Sequence, residues 1–286
     1  MRPADPGAAV RPLPPVHLVA GPEGPWEALA EDLRTGGVGL LQASLSRWER
    51  EQPAGPRLRE LLGPDWDQYQ ESRSPAVRNR FAASRVLLRC AVATALKVSP
   101  GHVEFGYHIS GRPYVRGFDQ VDISMSHSAD LLLIGLTSLG RIGVDVEPAE
   151  RAPSIAELDR HICTRAELAA LVGRPEEEYQ RALLRTWVLK EAYTKALGQG
   201  MYFPFTEFGF QLTEGGAELR TVEGRPVNEP SWSFHCLPLA DGCQGAVALQ
   251  EQHVGSVRDT RAATAVDRRT ALAIWGRRTP VPGLDG

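Results

Sequence analysis

Two acidic residues, Asp145 and Glu147, stand two positions apart at the end of an apolar run, in the segment GVDVE. Because side chains alternate between the faces of a strand, both carboxylates would lie on the same face. Neighbouring carboxylates repel each other unless protons or a cation neutralise them, and Mg²⁺ prefers oxygen ligands of this kind. Two ordinary acids at a solvent-facing strand end would give the same pattern, and the pair alone favours that interpretation.

A second group of residues shares one face of a predicted helix. Trp187, Glu191 and Lys195 follow one another at intervals of four positions, and residues four apart lie on the same helix face. The stripe is either an exposed Glu–Lys pair beside a packed tryptophan, or a site in which Glu191 is a metal ligand or base and Lys195 binds phosphate. The spacing supports the two interpretations equally. Trp187 is expected to pack and to support Glu191, because indole offers a large apolar area and a single donor.

The first strong helix upstream of these residues is predicted over 74–96. Ser74 is followed by a proline, which is typical of an N-cap and the first helical position. Apolar residues then recur at helical spacing and would form a buried stripe. Arg78, Arg85 and Arg89 fall on the opposite face.

Short apolar segments after this helix predict strands at 103–107, 122–125, 131–136 and 142–146. A turn at 138–140 separates the last two segments. These two strands are therefore predicted to pair as an antiparallel hairpin.

Helical patterns return in the second half of the chain. Thr164 and Glu167 fit a capping box, and a long helix predicted over 176–197 ends at Gly198 and Gly200. Strands are predicted again at 208–212, 232–237 and 245–249. This order of elements predicts an α+β fold of two halves, with the chemistry near their junction.

The composition limits the classes of function. An apolar share of 42% is ordinary for a globular protein, and a net charge of −3 gives no chain-wide field that would attract nucleic acid. The four cysteines are scattered without a C-x-x-C pair, so neither a disulfide framework nor a zinc ribbon is predicted. No apolar run reaches the roughly 18 residues of a membrane-spanning helix, and the proline-rich N-terminus does not resemble a signal peptide. We therefore expect a cytoplasmic protein that binds neither nucleic acid nor membranes.

Together, the acidic pair and the helix resemble the signature of a known family. GVDVE at 143–147, followed by W-x-x-K-E-A-x-x-K-A-x-G from Trp187, resembles the paired motifs of 4′-phosphopantetheinyl transferases. The match is closest to the larger, surfactin-synthetase-activating type. Gly-Arg-Pro at 111–113 with Ser-His-Ser at 126–128 is similar to the family's upstream motif, and the helix segment 80–89 resembles its N-terminal half.

The resemblance implies a fold in which a pseudo-twofold axis relates two similar α+β halves, with coenzyme A bound between them. We assign the halves to residues 16–140 and 141–250. A flexible tail at 1–15 and a C-terminal extension at 251–286, with a helix near 262–275 or with disorder, would flank them.

Site residues follow from the resemblance by position. Asp145, Glu147 and Glu191 would hold Mg²⁺, Glu191 and Lys195 would be the catalytic residues, and His127 would lie near the 3′-phosphate of coenzyme A. The residues implied to bind coenzyme A are Arg85, Arg112, Pro113, Ser126, His127, Asp145 and Lys195.

The implied reaction is attack of a carrier-protein serine hydroxyl on the β-phosphate of coenzyme A, with 3′,5′-ADP as the leaving group. A serine hydroxyl is a weak nucleophile and needs a base, for which Glu191, or a water that it holds, is the candidate. Lys195 would stabilise the departing phosphate. The acidic carrier protein is expected to dock on 155–172, and the enzyme to be a monomer.

Two other hypotheses stay open: a catalytically silent protein that binds coenzyme A or a carrier protein, and a different Mg²⁺-dependent nucleotide-binding enzyme. A Ser–His–Asp hydrolase using Ser126 or Ser128 with His127 is disfavoured. Adjacent strand residues face opposite sides, and the chain has no G-x-S-x-G elbow. A P-loop kinase is disfavoured because no Walker-type loop is present.

Overall fold

The structure, a computed structural model, describes residues 12–51, 54–72, 74–199 and 203–251. Most of the predicted N-terminal tail and almost all of the predicted C-terminal extension, including its helix near 262–275, lie outside these ranges. The helix-ending Gly200 also lies outside them. None of the described helices is long and apolar enough to cross a membrane.

After two strands separated by one helix, the chain forms a group of helices, a group of strands, a second group of helices and a second group of strands. The strands are β1 (Val16–Leu18), β2 (Val38–Ser44), β3 (Phe105–Tyr107), β4 (Pro113–Val115), β5 (Asp122–Ser128), β6 (Leu131–Thr137), β7 (Gly140–Pro148), β8 (Gly209–Leu212), β9 (Gly216–Arg220), β10 (Trp232–Pro238) and β11 (Cys243–Glu251). The helices are α1 (Trp26–Gly36), α2 (Leu45–Glu51), α3 (Gly55–Leu62), α4 (Trp66–Glu71), α5 (Pro75–Leu96), α6 (Ala152–Ala156), α7 (Asp159–Ile162), α8 (Arg165–Leu171) and α9 (Glu176–Leu197).

Two sheets carry the fold. The first sheet has the order β1-β2-β6-β5 and is antiparallel except for the parallel β1–β2 pair. The second sheet, β7-β11-β10-β9-β8, is antiparallel throughout. The predicted α+β class is confirmed, whereas the pseudo-twofold relation between the halves stays a prediction.

The sheets stack face to face between two long helices. Alternate residues of β6, such as Leu132 and Ile134, pack with α5, while Leu131 and Leu133 pack against β7 and β11. On the far side of the second sheet, β11 contributes Ala246 and other small residues to a core shared with α9. Because both faces of β6 are covered, the strand reads as a continuous apolar run.

The predicted hairpin between residues 131–136 and 142–146 is wrong. Strand β6 pairs with β2 and β5, whereas β7 pairs with β11. The chain therefore passes from one sheet to the other at Ser138 and Leu139. Strand β2, which was not predicted from the sequence, pairs with β6 along the edge where β7 was expected.

The two long helices begin and end where the sequence predicts. Ser74 caps α5 and accepts a hydrogen bond from the backbone of Val77, and Gly198 ends α9 with a φ of 75°. That left-handed conformation favours glycine. The capping box of Thr164 and Glu167 is also present.

One predicted surface charge is buried instead. The Arg89 side chain is 2% exposed, donates to the carbonyls of Leu62 and Val103, and lies 3.7 Å from Asp65. Helix α3 and the turn that follows it cover this face of α5. That segment has no clear periodic pattern in the sequence, so the burial of Arg89 could not be predicted from it.

Candidate active site

Direct contact between β7 and α9 positions the acidic residues. A Cβ atom added to Gly143 would overlap the carbonyl oxygen of Ala192, so only glycine lets the strand approach the helix at this point. Strand alternation then turns Asp145 and Glu147 towards the same side. Glu191 precedes Ala192 on the helix, so strand and helix together supply three carboxylates.

These carboxylates are buried together. Asp145, Glu147 and Glu191 are 4%, 7% and 8% exposed. The pKa of Glu191 is raised to about 6, first by burial and then by the charge of Asp145, while Lys195 opposes the rise and Glu147 adds a smaller increase. Burial also raises the pKa of Asp145, against the opposing effect of Lys195. The cluster thus carries poorly solvated negative charge.

Lys195 joins this cluster to the first sheet. Its Nζ donates to Asp145 Oδ1 at 2.6 Å and to Ser126 Oγ at 2.9 Å. The Ser126 hydroxyl itself donates to the same Asp145 oxygen at 2.7 Å. Three residues predicted from separate motifs are therefore in mutual contact. Trp187 packs edge-on against Phe205, with the ring centroids 5.5 Å apart.

Side chains of β5 connect the edges of the two sheets. The side chain of every second residue of β5 makes a hydrogen bond with β7. The two strands are therefore joined through side chains and not through paired backbone groups. The contacts are Ile142 N to Asp122 Oδ2 (2.8 Å), Val144 N to Ser124 Oγ (3.1 Å), Ser126 Oγ to Asp145 Oδ1 (2.7 Å) and Ser128 Oγ to Glu147 Oε2 (2.5 Å). Neither Asp122 nor Ser124 was predicted to have a role. Their alternation with Ser126 and Ser128 was the signal that could have revealed them.

A cationic region lies beside the negative cluster. The Arg85 guanidinium lies between the rings of Phe81 and Tyr107, 5.0 and 5.1 Å from their centroids. Its Nε and Nη1 atoms are buried without a hydrogen-bond partner among the described residues. Partial burial lowers the pKa of His127, and the charges of Lys195, Arg80 and Arg85 lower it further. This concentration of positive charge suits a phosphate group.

The remaining residues predicted to bind coenzyme A lie in the turn after β3. Pro113 is buried at the first position of β4. The Arg112 guanidinium donates to backbone carbonyls of α9, β5 and β7 and to the Asp122 carboxylate. A group predicted to contact phosphate is thus bound by protein oxygens.

A buried lysine fixes α9 next to Glu191. Lys190 is fully buried; its Nζ donates to Glu167 Oε2 at 2.7 Å and to three backbone carbonyls, those of Ile162, Phe205 and Phe208. Burial lowers the pKa of Lys190, while Glu167 opposes that change. Lys190 was predicted only as part of the motif, without a role of its own.

Replacing Lys190 with methionine is expected to lower the free energy of unfolding by about 3–5 kcal/mol, because the change leaves a buried carboxylate and buried carbonyls without their donor. Urea titration followed by circular dichroism measures it. Arg181→Met changes an exposed cation on the same helix and should alter stability by less than about 0.5 kcal/mol. Equal stabilities of the Lys190 variant and the unmodified protein would contradict the structural role.

The donor atoms of the cluster fit a hard divalent cation, although no group of three or more His, Cys, Asp or Glu side chains within the described ranges is arranged as a metal site. Asp145 Oδ2 is buried without a hydrogen-bond partner. The raised pKa of Glu191 reflects its burial first and then the charge of the neighbouring Asp145, against which Lys195 acts. Carboxylate oxygens are the ligands that Mg²⁺ prefers.

Comparison with known proteins identifies the class. The family model described as the 4′-phosphopantetheinyl transferase superfamily matches residues 141–250. A 4′-phosphopantetheinyl transferase of Nostoc sp., HetI, is 32% identical over 178 residues, which are 61% of this chain and 72% of that protein. A phosphopantetheinyl transferase of Thraustochytrium sp. is 30% identical over 60% of this chain and 64% of its own length. A Bacillus subtilis 4′-phosphopantetheinyl transferase is 24% identical over 48% of this chain and 60% of its own.

Among solved structures, a Bacillus anthracis holo-(acyl-carrier-protein) synthase in complex with CoA matches 40% of this chain and 97% of its own, with 18% identity and a TM-score of 0.30. That likeness is too low to support a conclusion. The sequence matches are sufficient: the chain belongs to the 4′-phosphopantetheinyl transferase superfamily. The enzyme class predicted from the paired motifs is thereby confirmed.

Proposed function

We propose that this protein transfers the 4′-phosphopantetheine arm of coenzyme A to a serine of an apo carrier protein and releases 3′,5′-ADP. The contact that carries the proposal joins Lys195 to Asp145 and Ser126. It brings a phosphate-binding cation to the edge of a buried carboxylate cluster. A cationic group that includes Arg85 lies beside His127: after burial, the charges of Lys195, Arg80 and Arg85 lower the pKa of this histidine.

Coenzyme A would bind with its 3′-phosphate at the cationic group. Arg85 is held between two aromatic rings, so little side-chain entropy is lost when its two unpaired donors meet phosphate oxygens. Lys195 would contact the pyrophosphate, because its ammonium binds the Asp145 carboxylate and its charge also acts on His127.

Asp145, Glu147 and Glu191 would hold Mg²⁺. When bound, the ion would neutralise charge on the pyrophosphate, whose own negative charge otherwise repels a nucleophile. Glu147 is oriented for this by Ser128, at 2.5 Å, and by Arg151, also at 2.5 Å.

The protein supplies the proton transfers. Glu191 accepts the proton of the carrier serine as the bond from the serine oxygen to phosphorus forms, while the bond from phosphorus to the ADP oxygen breaks. A pKa of about 6 leaves this carboxylate ionised at neutral pH and more basic than an ordinary glutamate. Lys195 stabilises the departing 3′,5′-ADP phosphate.

The carrier protein would dock beside the site, on segment 155–172. This segment follows β7 and its carboxylates by a few residues. Leu158 and Val172 are 44% and 81% exposed, and Arg160 and Arg165 are also exposed. The two arginines would pair with acidic groups of the partner, whereas Glu157, which is also exposed in this segment, would not. The monomeric state and the cytoplasmic location predicted from the sequence stay predictions.

Coenzyme A is expected to bind more tightly as the pH falls, whereas 3′-dephospho-coenzyme A should lack this dependence. The lowered pKa of His127 leaves the imidazole of the free protein neutral at neutral pH, and a phosphate dianion beside it raises that pKa in the complex. The gain in affinity begins as the pH falls through the pKa in the complex and is complete below the pKa of the free protein. Calorimetry across this range measures it, with His127→Asn as the control. The same pH dependence for both ligands would contradict the assignment.

The transfer itself is tested by mass spectrometry of apo carrier proteins incubated with the protein, coenzyme A and Mg²⁺. We expect the carrier to gain one phosphopantetheine, and a carrier whose acceptor serine is replaced by alanine to gain nothing. No gain on several carrier types, with coenzyme A still bound, would favour a catalytically silent binding protein. Neither gain nor binding would favour a nucleotide-binding enzyme of another kind.

A further inference from the structure

Arg112 connects both halves of the active site through one guanidinium group. It lies in the turn between β3 and β4 and reaches the last turn of α9, the edge of β5 and the edge of β7. Its contacts include the carbonyls of Lys195, Ala196 (2.8 Å), Ile142 (2.7 Å) and Ile123 (3.3 Å) and the Asp122 carboxylate (2.5 Å).

The contacts on α9 meet a physical need of the helix end. The last four carbonyls of a helix have no partner within the helix, and a cation near them interacts favourably with the helix dipole. Arg112 binds two of these carbonyls, those of Lys195 and Ala196, and the Lys195 carbonyl also accepts the backbone N–H of Gly198. The backbone of Lys195 is therefore held from one side, while its ammonium meets Asp145 and Ser126 on the other.

The contacts on the strands hold the junction of the sheets. The Asp122 oxygen that binds Arg112 also accepts the backbone N–H of Ile142. Arg112 and Asp122 are 12% and 20% exposed, so water competes only weakly for the ion pair. A planar fork with five donors can serve these oxygens at once, which a lysine ammonium cannot.

We propose that Arg112 is a positioning residue for the transfer reaction and does not bind the phosphates of coenzyme A. It holds the end of α9 against β5 and β7, and so fixes the distance from the Lys195 ammonium to Asp145 and Ser126. This inference rests on the proposed function and corrects the phosphate contact predicted from the sequence. Arg112 would affect the reaction only through Lys195 and the other residues that it holds in place.

Arg112→Lys provides the test, with Arg112→Met as a second variant. A small misplacement of a reacting group can cost about 10²-fold in rate, so we expect kcat for Arg112→Lys to fall by about 10–10²-fold. The dissociation constants of coenzyme A and of 3′-dephospho-coenzyme A should change by less than about twofold, since no ligand contact is lost. Arg116→Met, at an exposed position just after β4, should leave all three values unchanged.

A double-mutant cycle separates positioning from a merely structural role. If Arg112 acts through the junction, Arg112→Lys and Asp122→Asn combined should cost little more in kcat than the larger single effect. A fall in thermal stability with unchanged kcat would overturn the proposal. A tenfold or greater loss of affinity for coenzyme A, absent for 3′-dephospho-coenzyme A, would overturn it in favour of a phosphate contact.

A readout independent of activity distinguishes failure of this inference from failure of the proposed function. The backbone amide of Ile142 donates to Asp122, so its rate of hydrogen–deuterium exchange reports on this junction. In Arg112→Lys we expect this rate to rise by about tenfold, which corresponds to a loss of about 1.4 kcal/mol of protection. Unmodified protein without transfer activity would contradict the proposed function alone. An unchanged exchange rate would overturn the positioning role whatever the activity.

Discussion

Replacing Glu191 with glutamine is expected to lower the rate of phosphopantetheine transfer by about 10²–10⁴-fold, the usual contribution of a general base, while the protein still folds. Glutamine keeps the shape of the side chain but cannot accept the proton of the carrier serine. The replacement also removes one negative charge from the cluster with Asp145 and Glu147. The measurement is the initial rate of mass gain on an apo carrier protein.

The control for this prediction is Glu177→Gln, which neutralises an exposed glutamate in the first turn of the same helix. Its transfer rate should match that of the unmodified protein. Thermal unfolding of both variants checks that they fold. A folded Glu191→Gln protein with an unchanged transfer rate would eliminate Glu191 as the base.

Replacing Asp145 with alanine is expected to lower transfer by at least about 10²-fold, the scale on which loss of one preorganised electrostatic group affects catalysis. One carboxylate oxygen of Asp145 accepts hydrogen bonds from both Lys195 and Ser126. Its removal frees the lysine ammonium to move, and it deprives the proposed Mg²⁺ site of a ligand. Transfer rates measured over a range of Mg²⁺ concentrations should show a weaker apparent affinity for the metal.

Asp145→Asn distinguishes the two effects of this change. Asparagine keeps an oxygen that can accept a hydrogen bond from Lys195 but loses the negative charge. Compared with alanine, it should therefore restore the position of the Lys195 ammonium more fully than the affinity for Mg²⁺. Asp67→Asn, at an exposed position on α4, is the matched control and should behave as the unmodified protein does. Normal transfer by a folded Asp145→Ala protein would remove this residue from the mechanism.

The local parts of the site could be predicted because short spacings encode them. Strand alternation turns Asp145 and Glu147 to one side, helical spacing aligns Glu191 with Lys195, and Gly143 belongs to the motif that identifies the strand. The structure brings Lys195 and Ser126, from two other motifs, into contact with Asp145. Helix ends were predicted for the same reason, since caps depend on residues within a single turn.

The long-range parts could not be predicted in this way. Periodicity identifies β6 and β7 as strands but does not select their partners, and β2 competes successfully for the edge of β6. The environment of an arginine depends on whichever segment covers it. Arg89 is covered by a segment that includes Leu62 and is distant from it in sequence. Arg112, which precedes β4, binds the end of α9 at Lys195, 83 residues later.

Release of 3′,5′-ADP, measured alongside the mass of the carrier protein, tests the central claim most directly. In the presence of Mg²⁺ we predict that one 3′,5′-ADP appears for each phosphopantetheine gained by the carrier, and that EDTA stops both. Tight binding of coenzyme A without release of 3′,5′-ADP or gain of carrier mass would contradict the account and leave a binding protein. Equal release in EDTA would contradict the role of the three carboxylates as a metal site.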